Sequence, residues 1–118
     1  MFDHDPSHQN KMIYSSQWSA FFKDLEHSKQ GKLVRLEQGA DVLIEKSGTG
    51  SLILDALHYQ HDGKGDHLII TTAGDAGTQK STINFNLIWA TFDEDGGVVA
   101  VEIVDEQNRK VILRFEAS

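Results

Sequence analysis

His58, His61 and His67, interleaved with Asp55, Asp62 and Asp66, form the densest group of potential ligands in this chain. Two imidazoles and a carboxylate can hold a divalent metal. If 51–59 and 67–73 are paired strands, His58 and His67 can sit close across the hairpin. Nothing in the spacing fixes three ligands in tetrahedral order, and Asp62 to Asp66 lacks the ligand count of a calcium loop. Solvated histidines are the simpler reading. A metal-dependent protein or enzyme using His58, His61 and His67 is the alternative.

Gly74-Asp75-Ala76-Gly77-Thr78-Gln79-Lys80-Ser81 nearly spells a phosphate-binding loop. Gln79 stands where the motif needs its second glycine. A phosphate loop also opens a helix, whose N-terminal dipole holds the anion. Here an alternating strand follows, so a hairpin loop without ATP or GTP binding is expected. Gly48-Thr49-Gly50 fails for the same reason. Ser15 and Ser16 suit a helix start better than nucleophilic catalysis. His27 sits where a protonated imidazole favours a helix C-terminus. Glu102 and Asp105 read as a solvated strand edge and turn. No catalytic residue and no cofactor is assigned.

A binding surface is better supported than catalysis. Ile83, Phe85, Leu87, Trp89 and Thr91 alternate with Asn84, Asn86, Ile88 and Ala90. In a strand, successive side chains take opposite faces. A continuous strand over 82–92 therefore puts Phe85, Leu87 and Trp89 in the core. Asn84, Asn86, Ile88 and Phe92 fall on the second face. Exposed apolar patches mark interfaces. These four residues are thus the candidate ligand or partner surface, covered either by the curling of the sheet or by a second copy in a homodimer.

These groups need elements to position them. Trp18, Phe21, Phe22 and Leu25 fall at i, i+3, i+4 and i+7, one face of a helix that Ser15 or Ser16 can cap and Gly31 can end. After Gly31 the pattern turns to strands near 32–38, 41–47, 51–59, 67–73, 82–92, 98–105 and 109–116. The links suit hairpins, not helical crossovers, so the sheet is antiparallel. The aromatic helix face needs a partner, and the sheet is the obvious one. The expected fold is α+β: one N-terminal helix packed on a curled antiparallel sheet of about seven strands, a roll or partly open barrel. Residues 1–14, with the sole proline and no apolar periodicity, read as a flexible tail before a single domain over 15–118.

Composition narrows the function classes. The charge is −7, from 18 acidic and 11 basic residues in 118. Nucleic-acid binders carry basic stripes; here the basic residues are scattered, so neither nucleic acid nor membrane is an expected partner. No apolar run approaches the ~20 residues of a membrane span, and no signal peptide is expected at the N-terminus. Cysteine is absent, which removes disulfides and thiolate chemistry and fits a cytoplasmic setting.

The Trp18-x-x-Phe21-Phe22 helix, the strand Leu33-Val34-Arg35-Leu36-Glu37 and the closing strand Val111-Ile112-Leu113-Arg114-Phe115 together resemble a family of small bacterial proteins classed as a domain of unknown function. Its members pair a W-x-x-F-F helix with a final strand ending L-R-F. An Asp-Gly turn usually precedes that strand; Gln107-Asn108 stands there in this chain. The resemblance implies a bacterial origin and supplies no catalytic residues. The expected function is a non-enzymatic binding or self-associating module whose partner is a protein or small molecule.

Overall fold

The helix forms where the aromatic spacing places it. In the computed structural model, which describes residues 9–38, 41–42, 52–74 and 77–115, α1 spans Trp18–Lys29 and buries Trp18, Phe22 and Leu25. Ser15 and Ser16 do not cap it. They form a 3-10 turn with Gln17, closed by Gln17 N–H donating to Tyr14 O at 2.8 Å, and neither Tyr14 nor Gln17 makes a side-chain cap. At the other end Gly31 takes φ +85°, a left-handed conformation that glycine adopts without strain.

Among the described residues nine antiparallel strands accompany the helix: β1 (Gln9–Ile13), β2 (Leu33–Gln38), β3 (Asp41–Val42), β4 (Leu52–Asp62), β5 (Gly65–Gly74), β6 (Gly77–Phe85), β7 (Leu87–Phe92), β8 (Val98–Val104) and β9 (Lys110–Phe115). Eight of them run in the order β1-β7-β8-β9-β2-β4-β5-β6, and β3 pairs beside β2. The sheet is curled but unclosed, with α1 packed on it, an α+β fold. Phe22, Leu36, Leu54, Leu68, Ile70, Ile88, Ile103 and Leu113 fill the core. No helix among the described residues is long and apolar enough to cross a membrane.

Two expectations change, at 9–13 and at 82–92. Gln9–Ile13 is not tail but an edge strand, paired to β7 from Gln9↔Phe92 to Ile13↔Ile88. Its exposed side chains carry no alternation; the backbone ladder to β7 recruits it, with Ile13 packed against the core. The strand expected over 41–47 is seen at Asp41–Val42, and 43–50, with Gly48-Thr49-Gly50, lies outside the described residues. The strand expected over 82–92 breaks at Asn86 into β6 and β7. Phe85 is buried before the break and Ile88 and Ala90 after it, so the inward face changes phase. Leu87 and Trp89 are half-buried on the other face.

A second change of phase lies in β4. Leu52 and Leu54 are buried, then Leu57, with a register shift between Leu54 and Ala56. A bulge leaves backbone groups without ladder partners, and Glu26 of α1, with Gln30 and Gly31 just beyond it, supplies them. Leu57 N–H donates to Glu26 Oε2 at 2.9 Å, and Gln30 Nε2 donates to Asp55 O at 3.0 Å. Gly31 N–H donates to Leu54 O at 2.8 Å. Glu26→Ala is expected to cost about 1–3 kcal/mol, because the Leu57 N–H loses its acceptor in a part-buried place. Glu26→Gln, which keeps an oxygen there, should recover most of it. Urea melts of the two variants check this.

Candidate functional site

The turn Gly63–Lys64 links β4 to β5 and sets the register His61↔Asp66, Gln60↔His67 and His58↔Ile69. Alternation then splits the three histidines. His61 shares the inward face with Leu57 and Tyr59; His58 and His67 lie on the outward face. His58 also lines a shallow cleft beside α1, with Ser19, Lys23 and Glu26. No group of three or more His, Asp or Glu among the described residues is placed to hold a metal ion. The candidate metal set His58, His61 and His67 therefore does not converge.

Two hydrogen-bonded clusters form instead, one on each face. On the inward face Asp66 Oδ1 accepts from Tyr59 Oη at 2.6 Å and meets His61 Nδ1 at 2.8 Å. Burial, then the bond to Asp66, pushes the Tyr59 phenol up to about 12. Burial alone would raise the Asp66 carboxyl, but the donors Tyr59 and His61 outweigh it and hold it below the usual range. On the outward face His67 Nδ1 meets Asn84 Oδ1, and Nε2 meets Asp62 Oδ1 at 3.2 Å. Asn84, then Asp62, raises the His67 pKa. The Lys64 N–H, then His67, lowers that of Asp62.

Among the described residues β6 ends the sheet at one side. Hydrogen-bonded pairs alternate along an antiparallel ladder, and a two-residue turn closes on such a pair. Counting from Asp62↔Gly65, the pairs Asp66↔Phe85, Leu68↔Ile83 and Ile70↔Ser81 carry the β5–β6 bonds. The same count points Leu57 N–H away from β5, and it does bond Glu26. It leaves the backbone N–H and C=O of Thr78, Lys80, Thr82 and Asn84 facing outward. Gly74 thus ends β5 and Gly77–Ser81 is the first half of β6, not the opening of a helix; Asp75 and Ala76 lie outside the described residues.

Beside this edge stands the β8–β9 turn. Asp105 Oδ1 accepts from Gln107 N–H at 2.9 Å and Arg109 N–H at 2.8 Å, and Oδ2 accepts from Arg109 Nε at 2.7 Å. The Arg109 N–H is the largest influence holding the Asp105 carboxyl below its usual range. Asn108 takes φ 66°, and asparagine tolerates this left-handed turn position. Two adjoining clefts of about 260 and 370 Å³ separate turn from strand. Asn84, Asp105 and Arg109 line both. Phe85 and Asn86 line the first; Ile83, Ile103 and Val111 line the second.

The expected partner surface is thereby redrawn. Asn84 is on the exposed outer side of β6. Asn86 is exposed at the corner, its N–H donating to Val104 O at 2.9 Å. Ile88 is fully buried in the core, since the break at Asn86 turns it inward. Phe92 is half-buried, with Lys11 Nζ 5.7 Å from its ring centre. Sequence reasoning missed the Tyr59–Asp66 pair and the role of the 105–109 turn. The Asp62-Gly63 hairpin signal could have found the first, because it fixes the register that sets His61 opposite Asp66. The motif positions Trp18, Phe22, Leu113 and Phe115 are buried; they report on packing, not on a site. No family model, curated protein or solved structure matches this chain.

Proposed function

We propose that this chain is a non-enzymatic binding module that captures an extended segment of another polypeptide along the outward edge of β6. The observation that carries the reading is a nine-residue strand at the end of the sheet, with four outward backbone positions beside an open cleft. Addition of a strand to such an edge satisfies those groups, and alternate side chains find pockets. Ile83, half-buried at the rim of the second cleft, offers an apolar contact to one side chain, and the Asp105–Arg109 turn a polar end. The polar groups nearby are already engaged in holding the hairpins together, which favours recognition over catalysis.

Lys80 helps to select the partner. It is exposed, and no ion-pair partner for it occurs among the described residues. Two β6 edges paired about an axis through Lys80 would set like charges opposite each other. A foreign strand bearing Asp or Glu meets it favourably. The apolar patch that suggested a homodimer loses Ile88 to the core.

A displayed random-peptide library selected on the full chain, followed by NMR titration with the recovered peptide, tests the reading. Perturbations should concentrate on 78–84 and 105–109. Thr82→Pro should weaken binding at least tenfold while leaving the thermal melt nearly unchanged, since it removes an outward N–H and no bond to β5. Failure to recover any peptide, or binding indifferent to Thr82→Pro, would overturn it.

A further inference from the structure

His67 joins three elements of the fold. It sits on β5; one ring nitrogen meets Asp62 at the end of β4, and the other meets Asn84 on the edge strand β6. Both partners present oxygen to the ring, Asp62 through its carboxylate and Asn84 through its amide carbonyl, and a neutral ring regains Asn84 only if that amide turns over to offer its NH2. An imidazolium has two N–H groups and satisfies both; a neutral imidazole has one. We propose that His67 is a proton-operated clasp that holds the Asn84 end of the β6 edge against the β4–β5 turn, closed when the ring carries both protons and released on one side when it loses one.

The surrounding charges fit this arrangement. From β4, Asp62 faces the ring directly, and His58 lies on the same outward face near Gln60, the cross-strand neighbour of His67. From β5 itself comes Asp66, which also meets His61. From the turn, the Lys64 N–H holds the Asp62 carboxylate at 2.8 Å. From β6, Asn84 and Thr82 contribute neutral groups. Carboxylates therefore dominate the environment and favour the charged ring.

The sign follows. His67 is raised above its ordinary 6.5, so its contribution is complete below that value and is lost as pH rises through the raised pKa. Asp62 is lowered, so its contribution is present above the ordinary carboxylate range and is lost as pH falls through its own pKa. The clasp is closed between these limits. Opening frees the Asn84 end of the edge, where the backbone groups available to an added strand must be held in line. Strand capture should therefore weaken as His67 deprotonates.

This bearing on binding rests on the strand-capture reading; the clasp itself does not. The free full-length protein tests the clasp. In an NMR pH titration, the His67 ring and the amides of Ile83 and Phe85 should move with one midpoint above 6.5. In His67→Gln those amides should stay flat, and in Asn84→Ala the His67 midpoint should fall. A His67 midpoint at or below 6.5, or amides that ignore the ring, would overturn the clasp. With the library-selected peptide, affinity should drop about three- to tenfold across the same midpoint in the wild type and not in His67→Gln. A pH-independent affinity would overturn the regulation while leaving capture intact. Failure to recover a peptide would strike the capture reading and leave the clasp measurement standing.

Discussion

Trp18→Ala should destabilise the protein by about 3–5 kcal/mol, the range for truncating a buried aromatic. A domain of this kind has roughly 5–15 kcal/mol in all, so the loss is a large share of it. Trp18 is 5% exposed. Its ring meets Phe85 edge-on at 4.8 Å and Tyr59 at 6.3 Å. Its Nε1–H donates to Ile13 O at 2.8 Å, so the same side chain fastens both helix and β1 to the core. Trp18→Phe separates the two roles: it keeps a ring on the sheet but leaves the Ile13 carbonyl without its donor. Urea unfolding should rank wild type, Trp18→Phe and Trp18→Ala in that order. A midpoint for Trp18→Ala equal to wild type would mean that the helix is not docked as described.

Ile88→Glu is expected to be still more damaging. Ile88 is fully buried, paired between Ile13 and Ile103. A carboxylate there has no water and no partner, and such burial costs on the order of 4–5 kcal/mol or more. The variant should lose its cooperative melt and aggregate, with partial recovery at acidic pH where the new carboxyl is neutral. Circular dichroism and light scattering give the answer. A folded, soluble variant whose only change is a lower mass would place Ile88 at an interface between copies and not in the core.

The helix was legible because Trp18, Phe21, Phe22 and Leu25 repeat at its period, and the hairpins because Gly63, Gly74 and Gly97 punctuate alternating runs. What alternation cannot reveal is a change of phase. Asn86 and Asp55 each shift the inward face within what reads as one continuous strand, so Leu87 and Trp89 exchange places with Ile88 and Ala90. Such corners are set by the curl of the whole sheet and leave no local signature. β1 was illegible for a different reason. Its residues bury almost nothing, and its partner lies far away in the chain; Asn10 and Thr91, whose side chains meet at 3.3 Å, are separated by 81 positions. At the site, the sequence pattern gathered the histidines but could not sort them, because two faces of one hairpin are adjacent in sequence and separate in space.

The place of β2 has a consequence for assembly. It lies in the middle of the sheet, yet it precedes most of the strands, and one of its neighbours is β9. Glu37 and Arg114, ion-paired across that seam at 3.0 Å, are 77 positions apart. The β4–β5–β6 meander closes through short links and can form from local contacts as soon as residue 85 has emerged. The β2–β9 seam cannot form until residue 115 has emerged. Loop-closure entropy slows such distant pairings. A growing chain on the ribosome therefore holds an early-made central strand with one side unsealed until almost all of the domain exists, and this interval is where it is most exposed to mispairing.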